Sequence, residues 1–284
     1  VRDSSYRRIH RKLCEWYAAN GRLSSGSADA SAVGILYSFE ALLGDEPDYA
    51  KSRNSMAQLL MQNQIPFRYV LSDRLDLLSG IRMLILPNVL PISDSQAARI
   101  GKFVKGGGRV LATGRSSLYD EKMRMRRNYA LADVFGADFS NSFEDASHDS
   151  MIFNCKNGSV LIPGSWGLHM PDGSPACEIP SAKIAEIIRE MLSDAGVPEV
   201  FSPMPHIQCS ISKSKAGKFA VGLLNYSDTP VRGIRIFPPR GKGAWRPSKL
   251  LSPGKDTVRV KAEETAGGRL ALQIPELDVE AFLV

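Results

Sequence analysis

The sequence predicts an α/β fold, a doubly wound and mainly parallel sheet followed by a small antiparallel β-sandwich. Three observations predict it. Ile81 to Asp120 reads as a buried strand, a helix closed by glycines and a second buried strand. The same alternation of strand and helix runs upstream of that unit, back to Val33. From Pro203 onward helical periodicity disappears, and short alternating segments are separated by Gly, Pro, Asn and Asp turns.

In the central unit, Ile81, Met83, Leu84, Ile85 and Leu86 form a near-continuous apolar run ending at Pro87. That is the pattern of a parallel strand covered on both faces. Ser93 and Gln96 have the spacing of a capping box, so a helix is predicted to start there. Ala97, Ile100, Phe103 and Val104 then repeat at helical spacing, and the Gly106 to Gly108 run supplies the left-handed residue that stops it. Val110, Leu111 and Ala112 open the next strand. So short a strand, helix and strand predict a right-handed βαβ crossover.

Taken from the start, Tyr6, Ile9, Leu13, Trp16 and Tyr17 fall on one face of a lead-in helix that ends at Asn20-Gly21. The small-residue stretch up to residue 31 reads as a linker. Val33 to Tyr37 is the first buried strand, followed by an acidic loop with Asp45, Glu46 and Asp48. A helix through Met56, Leu59, Leu60 and Gln64, a strand at Phe67 to Leu71 and a short helix around Leu75 to Leu78 lead to the central unit. After Asp120, residues Glu121 to Arg127 read as an exposed basic helix or loop, and Leu131, Val134 and Phe135 as a short helix ended by Gly136. Met151 to Asn154 and Val160 to Ile162 read as a hairpin around Asn157-Gly158, and Gly164 to Pro180 as an irregular loop. Ser181 caps a last helix that Gly196 and Pro198 end. The strands expected beyond it are Ile207 to Ile211, Phe219 to Tyr226, Val231 to Phe237, Thr257 to Val260, Leu270 to Ile274 and Val279 to Leu283. The domain scheme that follows is a lead-in over 1–31, an α/β domain over 32–202 and a sandwich over 203–284.

Composition narrows the function classes. A chain of 284 residues accommodates two ordinary domains, and its apolar fraction of 43% with mixed charges is that of a globular protein. No apolar run approaches the ~20 residues of a membrane span, so none is expected. The net charge of +6 gathers partly in Arg7 to Lys12 and Lys122 to Arg127. Neither cluster is interleaved with aromatics, so no nucleic-acid partner is expected. Cys14, Cys155, Cys177 and Cys209 are widely spaced and have no paired histidines beside them, so no metal and no other cofactor is expected. The beginning at Val1 predicts a processed product or a piece of something longer, which leaves the compartment open between periplasmic or extracellular and cytoplasmic.

The turn Thr113-Gly114-Arg115-Ser116-Ser117 directly follows a buried strand, where an α/β enzyme would carry its nucleophile. It holds no cysteine. A nucleophile elbow on Ser116 fails as well, because Leu118 stands where the second glycine of G-x-S-x-G belongs. The histidines nearest in sequence, His148 and His169, lie in loops with no His-x-Glu partner. The three glycines at 106–108 follow a helix and precede a strand, the reverse of a phosphate loop. Asp45, Glu46 and Asp48 are neighbours on one loop and show no sign of a catalytic pair. No catalytic residue is therefore expected. The strand ends near Phe39, Arg115, Ser116 and Tyr119 remain the candidate ligand-binding residues, in a carbohydrate or small-ligand binding module, and a hydrolase using Ser116 is a second alternative.

The lead-in helix, VGILYS and MLILPNVLPISDSQAARIGKFVKGGGRVLATGRSSLYD together resemble the β-galactosidase trimerisation domain of bacterial glycoside hydrolases. The resemblance implies a class I glutamine amidotransferase-like fold without its catalytic cysteine. FAVGLLNYSDTPVRGIRI and the closing LDVEAFLV resemble the small β-sandwich that ends many such enzymes, while residues 139–180 lie outside the resemblance. In that family the catalytic carboxylates sit on a (β/α)8 barrel, which takes about 250 residues by itself. The resemblance thus implies a non-catalytic assembly and support region, with its own catalytic barrel as partner and a homotrimer for the parent enzyme.

Overall fold

A computed structural model describes residues 11, 14–20, 27–44, 47–136, 138–139, 153–154, 160–162, 181–193, 195–215, 217–227, 229–239, 249–252, 257–265, 269–278 and 280–283. The chain forms two compact units. One, the α/β unit, takes Ala32–Leu60 and Phe67–Ala195; the other, the β unit, takes Val1–Ser31, Met61–Pro66 and Gly196–Val284. Helix α1 covers residues 14–20; residue 11 is also helical, and residues 1–10, 12 and 13 lie outside the described residues. Inside the stretch that reads as a linker, Ser27–Asp29 is a strand, β1, which belongs to the β unit.

The α/β unit is built on β2 (Val33–Tyr37), β3 (Phe67–Leu71), β4 (Met83–Pro87), β5 (Arg109–Thr113), β6 (Phe153–Asn154) and β7 (Val160–Ile162). Their order across the sheet is β3-β2-β4-β5-β7-β6. All neighbours run parallel except β6, which pairs antiparallel with β7 through Phe153↔Leu161, as the hairpin predicts. The parallel strands therefore follow the order 2-1-3-4-5, in which the direction of winding reverses between β2 and β4.

The helices of this unit are α2 (Phe39–Leu43), α3 (Pro47–Gln62), α4 (Asp94–Lys105), α5 (Ala132–Phe135) and α6 (Ser181–Met191). The short helix expected around Leu75 to Leu78 is a 3-10 helix over Ser72–Leu77. Leu36, Val70, Leu84, Leu86 and Val110 pack against Ile100 and Val104 of α4 in one core. Burying each such side chain contributes about 1.5–3 kcal/mol, which is why the strands read as continuous apolar runs. Asp45 and Glu46 of the acidic loop lie outside the described residues, and Asp48 belongs to α3.

Both halves of the capping box at α4 are present: Gln96 N–H donates to Ser93 Oγ at 3.2 Å, and Ser93 N–H to Gln96 Oε1 at 2.9 Å. The three glycines at its other end have separate roles. Gly106 is the cap, Gly107 takes the left-handed φ of 92°, and Gly108 lies under the Phe103 ring, where a Cβ would come within 2.3 Å. Gly108→Ala is expected to push that ring off its seat at a cost of about 1–2 kcal/mol, read as a lower midpoint in urea unfolding at unchanged slope. The basic segment is a loop, organised by Asp120, which accepts from the N–H groups of Lys122 and Arg124 at 2.9 Å and pairs with the Arg124 side chain. These bonds, the Arg124 ones first, hold its carboxyl well down, to about 2.

The β unit holds two antiparallel sheets. The first has the order β1-β9-β10-β16-β12-β13, with β9 (Ile207–Ser214), β10 (Phe219–Asn225), β12 (Lys249–Leu251), β13 (Val258–Arg259) and β16 (Glu280–Leu283). The second is β14-β15-β11-β8, with β8 (Glu199–Phe201), β11 (Ile234–Phe237), β14 (Lys261–Glu264) and β15 (Leu270–Ile274). Both sheets feed one core, in which Ile207, Ile211, Val221 and Leu223 meet Ile234, Ile236, Leu272 and Ile274. The bounds of two expected strands are corrected. Val231 makes only an isolated bridge to Leu277, and β11 starts at Ile234. The strand expected over Thr257 to Val260 is present as β13, Val258–Arg259, in the first sheet, while the unexpected β14 follows in the second, with Val260, 1% exposed, at the corner between them.

Candidate functional site

The carboxyl ends of the parallel strands are where an open α/β sheet takes ligands, and each element there is fixed by local bonds. Thr113 ends β5, and its Oγ1 accepts from Asn88 N–H at 3.0 Å. Gly114 follows with a left-handed φ of 61°. This is the strained turn on which an elbow presents its nucleophile, and its residue has no side chain. Ser116, two positions on, is fully buried. Its hydroxyl accepts from Val89 N–H at 2.9 Å and faces the Leu86 and Thr113 carbonyls at 2.9 and 2.8 Å. Ser117 is also buried, with φ 68°, and it joins Val89 O through its N–H and Leu131 N–H through its hydroxyl. The turn is thus bolted to the β4 loop. The Ser116 hydroxyl is thus held by one incoming N–H and by two carbonyls that share its single hydrogen.

The other candidate residues do not converge. Phe39 is exposed at the start of α2, where its ring packs edge-on against Tyr37 at 5.4 Å. Arg115 is exposed, and its N–H donates to Asn88 Oδ1 at 3.1 Å. Tyr119 is half-buried against the α/β core and bridges to Pro91 and Met125. Strand β4 separates the end of β2, which carries Phe39, from the end of β5, which carries the other three. His148 and His169 lie outside the described residues.

At the reversal between β2 and β4 the structure shows a carboxylate that sequence reasoning missed. Glu40 Oε2 accepts from Ser72 Oγ at 2.7 Å and Ser38 Oγ at 3.0 Å, and its Oε1 accepts from Gln96 Nε2 at 3.1 Å. The ends of β2 and β3 and the first turn of α4 therefore meet on one side chain. Tyr49 of α3 completes the junction: fully buried, it donates to Leu36 O at 3.0 Å and accepts from Ser38 N–H at 2.8 Å. Burial pushes the Glu40 carboxyl up, but bonds from Ser72, its own backbone, Ser38 and Gln96 outweigh it, and the net value falls below the usual carboxylate range. A carboxylate held ionised with both oxygens occupied is a poor base and a poor ligand; it is a tie. The only signal in the sequence was an acid just after a strand and a capping-box glutamine 56 residues later.

Away from the strand ends, a cleft of about 330 Å³ runs beside α4. Ala97, Gly101, Val104, Leu131 and Val134 line it, with Asp94, Lys105 and Asp133 at its margin. No residue of the elbow contributes to it.

No family model matches the chain, and no curated protein matches it in sequence. Solved structures do match in fold. An α-L-fucosidase isoenzyme from Paenibacillus thiaminolyticus superposes over 94% of this chain and 50% of its own, with a TM-score of 0.67 at 14% identity. A β-galactosidase from Bacillus circulans sp. alkalophilus does so over 91% of this chain and 42% of its own, with a TM-score of 0.61 at 13% identity. A cold-adapted β-galactosidase from Rahnella sp. R3 covers 94% of this chain and 44% of its own, with a TM-score of 0.57 at 15% identity. The chain thus spans half or less of each of these enzymes. At such identities the likeness is one of fold, and that fold is related to part of a glycoside hydrolase.

Proposed function

We propose that the chain is the non-catalytic assembly and support region of a β-galactosidase-like, carbohydrate-active enzyme whose catalytic barrel lies outside it. In this reading the α/β unit, Ala32–Leu60 and Phe67–Ala195, is a doubly wound, glutamine amidotransferase-like domain of the trimerisation type. The β unit is the closing β-sandwich, which takes in Gly196–Val284 and is joined by Ser27–Asp29. The observation that carries the reading is the elbow. Gly114 occupies its strained position without a side chain, and the Ser116 hydroxyl is consumed by Val89, Leu86 and Thr113. The fold likeness to glycoside hydrolases over nine-tenths of this chain, and half or less of theirs, supports the same reading.

The purified chain is expected to turn over neither a nitrophenyl β-galactoside nor glutamine. Turnover that disappears on changing Ser116 would sink the proposal. The parent enzyme, with its barrel, is expected to be a homotrimer by light scattering and the chain alone a monomer or weak oligomer. A stable interface buries about 1,200–2,000 Å², and the barrel is expected to supply part of it; a monomeric parent would remove the assembly role.

A further inference from the structure

The four-stranded sheet of the β unit has an outer face that follows from its register. Val200, Ile234, Ile236, Leu272 and Ile274 point into the shared core, so their neighbours along each strand point away from it. Directly opposed residues of antiparallel strands share a face. Lys261 stands opposite Gln273, Gln273 opposite Arg235, and Arg235 opposite Phe201. One row of four side chains therefore crosses all four strands. Its two cations stand two strand spacings apart, roughly 10 Å.

The chemistry of the row is uneven in an informative way. Arg235 lies over the Phe201 ring at 4.9 Å from its centroid, and that ring remains 40% exposed. Stacking holds the guanidinium fork in place with its donors at the edge. Nearby, Arg269 sits over Phe237 in the same manner but is neutralised by Glu199 at 2.9 Å. Among the described residues, no carboxylate pairs with Arg235 or with the exposed Lys261. Gln273 lies between them, its amide donating to Glu263 at 2.9 Å.

We propose that this row binds an acidic oligosaccharide that carries a carboxylate or sulfate on every second sugar. A pyranose unit advances an extended glycan by about one strand spacing. Successive charges then fall at Lys261 and Arg235, and a sugar ring lies against the open part of Phe201. A single-stranded nucleic acid asks for several aromatic rings in succession, and this row offers one. The inference rests on the reading of the chain as part of a carbohydrate-active enzyme, and it gives a ligand class to a face that reading leaves unused.

The test is calorimetric titration of the whole chain with a hexasaccharide of alternating glucuronate and N-acetylglucosamine, at low and at physiological salt. A neutral hexamer of N-acetylglucosamine and a single-stranded oligonucleotide of equal charge serve as controls. The acidic hexamer is expected to bind, more weakly as salt rises, and the neutral one not to. Arg235→Ala and Lys261→Ala should each weaken binding by roughly tenfold, the loss of one charge-assisted contact. Lys261 is exposed, so its variant keeps the test valid if Arg235→Ala fails to fold. No binding at low salt, unchanged affinity in Lys261→Ala, or equal affinity for the oligonucleotide would each overturn the proposal. None of these outcomes touches the support role, which stands or falls on turnover and on the assembly of the parent enzyme.

Discussion

Ser116→Val is expected to lower the unfolding free energy by about 2–4 kcal/mol, a large effect for a serine in a turn. The serine is fully buried, and among the described residues its oxygen is the only partner of Val89 N–H. Valine leaves that donor unpaired, at about 1–3 kcal/mol. It also brings branched methyl groups against the Leu86 and Thr113 carbonyls, which now lie within 2.9 Å of the hydroxyl. Urea unfolding monitored by far-ultraviolet dichroism measures the loss. A variant as stable as the starting protein would mean that the bolt between the turn and the β4 loop contributes nothing, and the argument that Ser116 is structural would fall with it.

Glu40→Ala should lower stability by about 2–3 kcal/mol at neutral pH. It strands the hydroxyls of Ser38 and Ser72 and the Gln96 amide, and it disconnects the end of β2 from the first turn of α4. The pH dependence has a definite sign. The folded carboxyl titrates below its ordinary value, so its contribution is complete above the unfolded value of about 4.3 and is lost as pH falls through the folded value. Unfolding curves of both proteins at pH 7 and pH 3 check this. The gap between them should narrow at the lower pH, and a gap that stays constant would show that ionisation of Glu40 is irrelevant to the junction.

The βαβ unit was legible because each of its signals is local. Ser93 and Gln96 cap a helix three residues apart, and Gly107 ends it within two residues of its last turn. The strands that were missed lack that kind of signal. Lys261–Glu264 is exposed at every position, so it has no apolar alternation, and Ser27–Asp29 is a three-residue edge strand of small and acidic residues. Val260 misled in the other direction: it is buried at a corner between two sheets, and it drew the expected strand past the end of β13.

The tight turn after β5 was legible from Gly114, which takes the left-handed φ of 61° there. The Glu40 junction was not, because nothing in the chain announces that β2 and the α4 cap become neighbours; that depends on the reversed strand order. The outer row of the second sheet was hidden for a similar reason. Lys261, Gln273, Arg235 and Phe201 are unremarkable singly, and only the pairing register brings them into line.

The membership of β1 bears on how the protein comes off the ribosome. Ser27 pairs with Ser214, and between these two partners the chain makes the whole α/β unit. Domains generally fold as they emerge, the N-terminal part first. β1 therefore leaves the ribosome early but waits, unpaired, until β9 has been synthesised. Closing so long a loop is entropically expensive, although each doubling of its length adds only about 0.6 kcal/mol. A three-residue edge strand gains little in return, so β1 is expected to join late and open early. In a nascent chain the amides of β1 exchange freely with solvent while those of β2 and β4 are already protected, and a chaperone that reads exposed strand edges has that interval in which to act.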